Sequence, residues 1–363
     1  MFGHNDTMSY RRILVTGGAG FVGSSLALRL KGAFPQTRVS ALDNLSRKGS
    51  ELNVPRLEAG GIIFMRGDVR HAEDFKQFAG VDLIVDCAAE PSVMAGKDGS
   101  PLYALETNLW GTVNALELAR TSKAKILFLS SSRVYPVAEL NAIVTKETPT
   151  RFAIASGQTL AGVSENGISE TFPLGEQRTL YGATKLASEM LIREYAMLYG
   201  TRAIINRCGV IAGPWQFGKV DQGVAVLWMA KHIFNQPLSY IGFGGQGKQV
   251  RDFLHIDDLW DAVALQLKEF NTYAGQTFNI GGGIGSSASL CELTELCQKI
   301  SGTGIEISSA PDTRWGDIKL YVSDNARFSA LSGWTPKRGV EDIMRDIHAW
   351  IIANKEALRP LLG

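Results

Sequence analysis

Short apolar runs alternate with segments of helical spacing along most of the chain. The runs predict buried strands, because a strand inside a parallel sheet is covered on both faces. Between them, apolar residues recur three or four positions apart, as at Leu109, Val113 and Leu116, which is typical of amphipathic helices. The alternation predicts an α/β fold with a doubly wound parallel sheet and helices on both faces. The predicted strands cover residues 12–16, 38–43, 61–65, 81–87, 126–129, 203–207 and 277–280, and the predicted helices cover 24–31, 108–120, 181–199, 291–300 and 340–352.

A cluster of glycines follows the first predicted strand and precedes the first predicted helix. Gly17, Gly20 and Gly23 lie three residues apart, a spacing that differs from the usual GxGxxG turn. Glycines let the backbone turn sharply and approach a phosphate, and the free N–H groups and positive dipole at the helix start favour negative charge. We expect this turn to bind the pyrophosphate of a dinucleotide; a purely structural turn is the alternative.

Two acidic residues follow the next two predicted strands. Asp43 lies about twenty residues past the last glycine, where such folds place the acid that bonds the adenosine ribose. Its carboxylate would repel a 2′-phosphate, which favours NAD over NADP, although Arg47 and Lys48 lie nearby; a solvated carboxylate at the strand end is the alternative. Asp68 could bind the adenine amino group or cap the helix predicted near residue 72.

The residues that could perform chemistry lie in the middle of the chain. Tyr181 and Lys185 are four apart and therefore share one face of a predicted helix. A lysine charge can lower the pKa of a neighbouring tyrosine, so that the phenolate becomes accessible as a base near neutral pH. Serines at 130–132 end one strand, and Ala88 and Ala89, which end another, are small enough to let the backbone approach a cofactor. A chance YxxxK pattern is the alternative for the tyrosine and lysine.

Composition narrows the classes of function. A formal net charge of +1 gives no support to a nucleic-acid or membrane-surface partner, and no apolar run of about 18 residues predicts a membrane span. The four cysteines form neither a disulfide nor a zinc pattern, and the five histidines are scattered. We therefore expect a cytoplasmic protein without a metal site.

Two changes along the chain suggest its organisation. Residues 137–179 show no long periodic segment, and a stretch of that length is usually functional or disordered. Beyond Gly213 and Pro214, glycines and aromatic residues become dense, which we interpret as a shift towards substrate binding. We predict a flexible tail at 1–10, a dinucleotide-binding domain with the catalytic residues at 11–207, and a mainly substrate-binding region at 208–363 that is interleaved with the first.

Together, these features resemble the extended short-chain dehydrogenase/reductase family, in particular its nucleotide-sugar-modifying members. The resemblance extends from residue 12 to about residue 337. Its motifs here are TGGAGFVG at 16–23, GDVR at 67–70, NLWGT at 108–112, YGATK at 181–185, VRDFLH at 250–255 and RWGD at 314–317. The resemblance implies a Rossmann-type sheet with a smaller C-terminal substrate-binding α/β region, a bound NAD and a homodimer formed through the helices at 108–120 and 181–199.

Within that family, the chain is most similar to CDP-paratose (CDP-tyvelose) 2-epimerases. The similarity rests on DNLSRKG at 43–49, AAEPS at 88–92, GVSEN at 162–166 and GKQVRD at 247–252. Three departures lie where the substrate is expected. Ser131, Ser132 and Arg133 replace Thr-Asn-Lys, Glu90 replaces a glutamine, and residues 93–95 replace His-Asp-Trp. The departures leave the chemistry intact but put the identity of the sugar in question.

The resemblance also assigns roles to residues. It implies that Tyr181 is the general base and acid, that Lys185 stabilises the phenolate and binds the ribose, and that Ser131 bonds the reacting sugar oxygen. Arg251 and Arg314 match residues that clamp the substrate diphosphate, and Asp317 matches an acid on the nucleotide ribose. The cofactor-binding residues that we predict are Gly17, Gly20, Phe21, Val22, Asp43, Asn44, Asp68, Val69, Ala88, Ala89, Asn108, Tyr181 and Lys185, and the further substrate-binding residues are Glu90, Ser132, Arg133 and Gln222.

The implied activity is epimerisation of a nucleotide-diphosphate sugar, with transient oxidation to a keto-sugar and return of the hydride to the opposite face. The similarity favours inversion at C2. A 4-epimerase, a dehydratase or a decarboxylase of the same family is the alternative, although dehydratases typically carry Asp-Glu after the catalytic hydroxyl, where this chain has Ser132 and Arg133. A non-catalytic NAD-binding scaffold or sensor is the alternative from a different class.

Overall fold

A computed structural model describes residues 10–97, 99–218 and 222–363. Residues 1–9 of the predicted tail therefore lie outside the described residues. The strands are β1 Arg12–Thr16, β2 Arg38–Asp43, β3 Ile63–Arg66, β4 Leu83–Asp86, β5 Lys125–Ser131, β6 Thr145–Glu147, β7 Phe152–Ile154, β8 Val163–Ser164, β9 Gly167–Ile168, β10 Ala203–Cys208, β11 Val210–Ala212, β12 Leu238–Ile241, β13 Val250–His255, β14 Thr277–Ile280, β15 Ser287–Ser289, β16 Ile307–Ala310 and β17 Leu320–Tyr321.

The helices are placed between these strands. They are α1 Phe21–Ala33, α2 Asn53–Ala59, α3 Ala72–Phe75, α4 Leu102–Leu105, α5 Gly111–Ser122, α6 Val137–Ala142, α7 Leu180–Tyr199, α8 Val224–Ile233, α9 Ile256–Lys268, α10 Phe270–Tyr273, α11 Leu290–Ser301, α12 Ala326–Ser332, α13 Val340–Ala353 and α14 Lys355–Leu362. A π-helical segment, Glu106–Trp110, joins α4 to α5. In the part of the chain that the structure covers, no helix combines the length and apolarity that crossing a membrane requires.

The central sheet has seven parallel strands in the order β14-β10-β5-β4-β1-β2-β3. This confirms the predicted doubly wound Rossmann-type fold. The order reverses at β1, which pairs with β2 on one side and β4 on the other, and ligands of such sheets bind outside the carboxyl ends of the strands at this point. Apolar clusters cover both faces of the sheet and hold its strands in place.

The C-terminal part builds smaller sheets and also completes the large one. β11, β13, β15 and β17 form one small sheet and β12 pairs with β16. They pack with α8, α11 and α13 around a separate apolar cluster. However, β14 joins the central sheet, so the chain returns to the first unit after leaving it.

The stretch 137–179, where the sequence shows no periodicity, is folded. It contains α6 and two short hairpins, β6–β7 and β8–β9. Ile168 and Phe172 pack with Tyr135 and Tyr321 in a buried cluster. The pieces are too short to leave a periodic pattern, because a strand of two or three residues contains at most one alternation.

The helices that were predicted from long periodic segments are present in the structure. Ile343, Ile347 and Ile351 of α13 are completely buried on one side of the helix, as the spacing predicts. The two aspartates that follow β13, Asp257 and Asp258, do not cap the next helix. His255 is the N-cap of α9, and its Nδ1 accepts a hydrogen bond of 3.0 Å from the backbone N–H of Asp257.

Candidate active site

A cavity of about 910 Å³ opens at the carboxyl ends of the central strands, between the large sheet and the C-terminal part. It collects residues from distant parts of the chain. The predicted site residues on its wall are Gly17, Gly20, Phe21, Val22, Asp43, Asn44, Val69, Ala88, Ala89, Glu90, Ser131, Ser132, Arg133, Tyr181, Lys185 and Gln222. Asp68, Asn108, Arg251, Arg314 and Asp317 are outside this wall.

The glycine turn is built for close approach. Gly17 has a φ of +60°, a conformation that favours glycine, and a Cβ there would lie 2.9 Å from the Cα of Ala88. A Cβ on Gly23 would lie 2.1 Å from the carbonyl oxygen of Gly17, so only glycine lets α1 pack on the turn. Gly20 caps α1 without a side-chain hydrogen bond. The first N–H groups of α1 therefore face the cavity free of a side-chain cap, which suits a pyrophosphate.

Asp43 holds the turn while facing the cavity. Its Oδ2 accepts a 3.0 Å hydrogen bond from the N–H of Ala19, and its Oδ1 accepts one of 2.8 Å from Leu45. Burial raises the pKa of the Asp43 carboxyl, and these backbone bonds act in the opposite direction. The carboxylate is thus fixed beside the glycine turn, in the position that the sequence predicts for a ribose-binding acid.

Asp68 is engaged by its neighbours. Arg70 bonds both carboxylate oxygens, with the shorter contact at 2.8 Å, and Asn44 donates to Oδ2 at 2.9 Å. Burial raises the pKa of this carboxyl, but these hydrogen bonds outweigh burial and lower it. The alternative prediction that Asp68 caps the following helix was wrong, since His71 is the N-cap of α3 and makes no side-chain bond.

Tyr181 and Lys185 enter the cavity from the first turns of α7, which Thr179 caps by accepting a 3.3 Å bond from the N–H of Gly182. Ser131, at the end of β5, lies near enough to the Tyr181 hydroxyl to lower its pKa, and the Ser131 Oγ accepts a 3.2 Å hydrogen bond from the N–H of Arg133. Lys185 is 2% exposed, and its Nζ lies 4.5 Å from the centroid of the Phe128 ring. Tyr181, Ser131 and Lys185 therefore line the same cavity.

Burial is the main cause of the pKa shifts of Tyr181 and Lys185. It raises the pKa of Tyr181 to about 12, while the Ser131 hydrogen bond and the Arg133 charge lower it and the Glu90 charge raises it. Burial also lowers the pKa of the Lys185 ammonium, which the Asp86 carboxylate partly offsets. Ser131 and Arg133 thus both favour the phenolate.

Asn108 lies behind the cavity wall and holds the loop after β4. It is completely buried. Its Oδ1 accepts a 2.7 Å bond from the N–H of Glu90, and its Nδ2 donates to the Glu90 carbonyl and the Thr184 hydroxyl at 3.1 Å each. Asn108 therefore ties the loop that carries Glu90 to the helix that carries Tyr181.

A basic cluster adjoins the cavity on the side of residues 314–318. Arg314 forms an ion pair with Asp317, with the Nε–Oδ2 distance at 3.0 Å. Arg133 donates to the Gly316 carbonyl at 3.0 Å, and Arg251 donates to the Val250 and Ile318 carbonyls at 2.7 Å each. Burial and the nearby Arg133 lower the pKa of Arg251 to about 9, although Asp317 opposes this. Three guanidinium groups around one carboxylate suit an anionic ligand.

Several cavity residues escaped prediction. Arg47, Lys48, Cys87 and Cys208 line the wall, and Leu361 reaches it from α14. The first two were noticed only as nearby charges, and Leu361 has no sequence signal because its role depends on how α14 folds back. In the described ranges, no group of three His, Cys, Asp or Glu side chains could hold a metal ion.

The site fits a dinucleotide on three observations: the close-approach glycines, the helix start without a side-chain cap, and the fixed Asp43 carboxylate. These lie along one side of the cavity, and Tyr181 with Lys185 lie further in. The Asp43 carboxylate would meet a 2′-phosphate with like charge, which favours NAD.

Comparisons with known proteins agree with this reading. A CDP-paratose 2-epimerase from Salmonella typhi is 29% identical over 352 residues, covering 93% of this chain and 98% of that protein. A dTDP-glucose 4,6-dehydratase from Mycobacterium tuberculosis is 28% identical and covers 96% of each chain. Among solved structures, the UDP-glucose 4-epimerase of Thermus thermophilus in complex with NAD is 27% identical with a TM-score of 0.74, covering 94% of this chain and 99% of that one.

A second solved structure extends the comparison to a dehydratase. The dTDP-glucose 4,6-dehydratase of Streptomyces venezuelae, solved with NAD bound, is 28% identical with a TM-score of 0.77, covering 96% of this chain and 99% of that one. The sequence model of the NAD dependent epimerase/dehydratase family matches residues 13–281. That match spans most of the chain, including the glycine turn, Tyr181 and Lys185. The chain therefore belongs to the NAD-dependent epimerase/dehydratase family, and its cofactor is NAD.

Proposed function

We propose that the protein epimerises a nucleotide-diphosphate sugar, with inversion at C2. The observation that carries the proposal is the placement of Tyr181 and Ser131 on one cavity wall, with Ser132 and Arg133 following Ser131 where dehydratases typically carry Asp-Glu. The similarity to a CDP-paratose 2-epimerase supports C2. The similarity to dehydratases makes a 4,6-dehydratase the second candidate.

The chain's own residues suit a reversible proton transfer. Tyr181 would accept the proton of a ring hydroxyl and later return it, while Ser131 would hold the same oxygen by a hydrogen bond. Arg133 favours the phenolate by its charge, and the buried Lys185 lies one helical turn from Tyr181. NAD, when bound, supplies a hydride acceptor that returns the hydride, so no second substrate is needed.

The basic cluster gives the substrate its orientation. Arg251 and Arg314 would bind the diphosphate, since a guanidinium group offers fixed, permanently charged donors. Asp317, which now pairs with Arg314, would bond the nucleotide ribose. A sugar that is anchored there by its diphosphate extends towards Tyr181, and Arg133 lies between the two.

We also propose that the protein is a cytoplasmic homodimer. The cysteines of the described chain, Cys87, Cys208, Cys291 and Cys297, are free thiols, which suits a reducing compartment. Trp110, Met190, Met197 and Leu198 are between 55% and 84% exposed on α7 and the π-helical segment. Apolar side chains of this size on neighbouring helices fit a second copy across a two-fold axis.

A turnover assay tests the reaction. CDP-, UDP- and dTDP-linked hexoses are incubated with the purified protein, and the products are separated and identified by NMR. We expect an epimer with no loss of water; a 4-keto-6-deoxy product would make the protein a dehydratase. Tyr181→Phe removes only the hydroxyl and should abolish turnover while it still binds NAD and the substrate. Near-normal turnover of that variant would assign the base to another group.

A further inference from the structure

The carboxylate of Glu90 faces the cavity and is held from two directions. Its Oε1 accepts a 3.1 Å hydrogen bond from the N–H of Ser92 and one of 3.2 Å from Nε2 of Gln222. Within the described ranges, Oε2 makes no hydrogen bond to the protein. This oxygen is accessible and not enclosed by the protein. One carboxylate oxygen is therefore fixed, and the other remains open to a ligand.

Gln222 reaches Glu90 because Arg47 holds its other end. Nη1 of Arg47 donates to Oε1 of Gln222, and Nη2 donates to the Phe217 carbonyl at 2.5 Å. Since an amide has one accepting and one donating end, the bond from Arg47 directs the Gln222 NH₂ group towards Glu90. Three residues far apart in sequence thus form one chain of hydrogen bonds along the cavity wall.

The backbone of Glu90 is fixed as firmly as its side chain. Asn108 bonds both its N–H, at 2.7 Å, and its carbonyl, at 3.1 Å. The same Asn108 amide donates to Thr184, three residues after Tyr181 on α7. Glu90 is therefore held in a set position relative to Tyr181, close enough for its charge to act on the phenol.

A carboxylate only accepts hydrogen bonds, so its ligand must donate one. On a nucleotide sugar, the groups that donate near the reacting carbon are ring hydroxyls. Tyr181 takes its proton from the hydroxyl on the inverted carbon, and C3 is the neighbour of both C2 and C4. The C3 hydroxyl is therefore the donor beside the reacting oxygen whichever of the two carbons is inverted.

We propose that Glu90 is a specificity residue that accepts a hydrogen bond from the C3 hydroxyl of the nucleotide sugar, and that Gln222 and Arg47 are positioning residues for its carboxylate. The inference rests on the proposed function. It narrows the substrate to nucleotide hexoses that keep the C3 hydroxyl, and so excludes 3-deoxy sugars such as paratose. An acceptor that the bound sugar shields from water is costly when a 3-deoxy sugar leaves it unpaired, and a site built for a hydroxyl rejects the analogue that lacks it.

The test compares CDP-, UDP- and dTDP-glucose with their 3-deoxyglucose counterparts, by kcat/KM and by calorimetric affinity. For the preferred nucleotide, the wild-type protein should favour the 3-hydroxyl sugar by about a hundredfold or more. Glu90→Leu should bring that ratio close to one, because only the 3-hydroxyl sugar loses a hydrogen bond, whereas the loss of negative charge near Tyr181 affects both sugars alike. Equal kcat/KM for both sugars, or an unchanged ratio in Glu90→Leu, would overturn the inference and leave the epimerase proposal standing.

The positioning residues have their own readout. Gln222→Leu should lower the ratio and leave the 3-deoxy sugar's kcat/KM unchanged, whereas a merely structural loss would weaken both sugars equally. Gln36→Leu is the matched control, because Gln36 is exposed between α1 and β2 and does not line the cavity, and it should keep the wild-type ratio. If the protein neither binds nor turns over even one of the six sugars, the proposed function and this inference are both overturned.

Discussion

Arg207 and Glu189 form an ion pair beneath the active site, with Nη2 and Oε2 2.7 Å apart and neither side chain more than 2% exposed. The hydroxyl of Ser130 donates to Glu189 at 2.6 Å, and Nη1 of Arg207 donates to the Tyr135 hydroxyl at 3.3 Å. Since Glu189 belongs to α7 and Ser130 precedes Ser131 on β5, these bonds fix the helix that carries Tyr181 to the strand that carries Ser131.

This pair yields a prediction about stability. Glu189→Gln should leave the Arg207 charge buried without its counter-ion and lower the free energy of unfolding by about 3–5 kcal/mol. Urea unfolding followed by circular dichroism measures the change. Glu194→Gln on the exposed side of the same helix is the control and should stay within about 0.5 kcal/mol of the wild type. Equal stability of the two variants would contradict the prediction.

Long periodic segments and strand ends could be predicted from the sequence. The strand at 277–280 was placed at its observed bounds, and α7 begins one residue before the predicted helix. Asp43 was recognised because its distance from the glycine turn is set within one βαβ unit, where the order of elements fixes what meets. Tyr181 and Lys185 were recognised from their helical spacing taken together with the glycine turn, Asp43 and the serine cluster.

Contacts between distant segments could not be predicted in this way. The link from Arg47 through Gln222 to Glu90 joins three loops, and nothing in the local sequence indicates that they meet. The His255 cap could not be predicted either, because Asp is the more common cap and two aspartates follow His255 directly. Local preference favours an aspartate there, whereas the tertiary fold places His255 at the helix start.

The Asp43 carboxylate predicts which cofactor the protein carries. Because it would repel a 2′-phosphate, the protein should be purified with NAD(H) rather than NADP(H), as mass spectrometry of the extracted nucleotide would show.

Gly23 predicts how strongly the cofactor binds. Gly23→Ala forces a Cβ against the Gly17 carbonyl, and overpacking of this kind costs about 1–3 kcal/mol. The affinity for NAD should therefore decrease by a factor of between roughly five and more than a hundred. Gly32→Ala on the same helix meets no atom within 4 Å and should bind NAD normally; equal loss in both would refute the argument.

The charges around Tyr181 predict opposite pH shifts. Glu90 raises the pKa of Tyr181 and Arg133 lowers it. Glu90→Gln removes the negative charge, so the pKa should fall and the acid limb of kcat/KM should move to lower pH. Arg133→Gln removes the positive charge and should move that limb to higher pH. Profiles of log kcat/KM against pH measure both, and a shift in the same direction for the two variants would show that Tyr181 is not the titrating base.

The exposed apolar side chains predict the site of dimer contact. Light scattering should give about twice the chain mass of 39.4 kDa at micromolar concentration. Met190→Glu with Met197→Glu places charges on α7 residues that are 59% and 84% exposed, and should yield monomers. Ile352→Glu on α13, at 47% exposure, is the control and should remain dimeric. Monomers in the wild type, or dimers in the double variant, would count against a dimer through α7.

The hydride mechanism makes a demand on the fate of a label. If inversion occurs at C2, the deuterium of a C2-labelled nucleotide sugar leaves and returns to the same carbon. The product should then keep the label, and kcat/KM should show a primary isotope effect, because that carbon–hydrogen bond breaks. A C4-labelled substrate should show no effect, which provides the control within one experiment.

Each other outcome of the labelling experiment has a distinct meaning. An isotope effect at C4 with retention of the label would make the protein a 4-epimerase, with Tyr181 and Ser131 in the same roles on a sugar that is turned in the site. Loss of C2 deuterium to water would mean that a base removes hydrogen from carbon directly. Tyr181 as the proton acceptor of a hydroxyl would then be wrong, because its proposed proton comes from oxygen and the label would never reach the solvent.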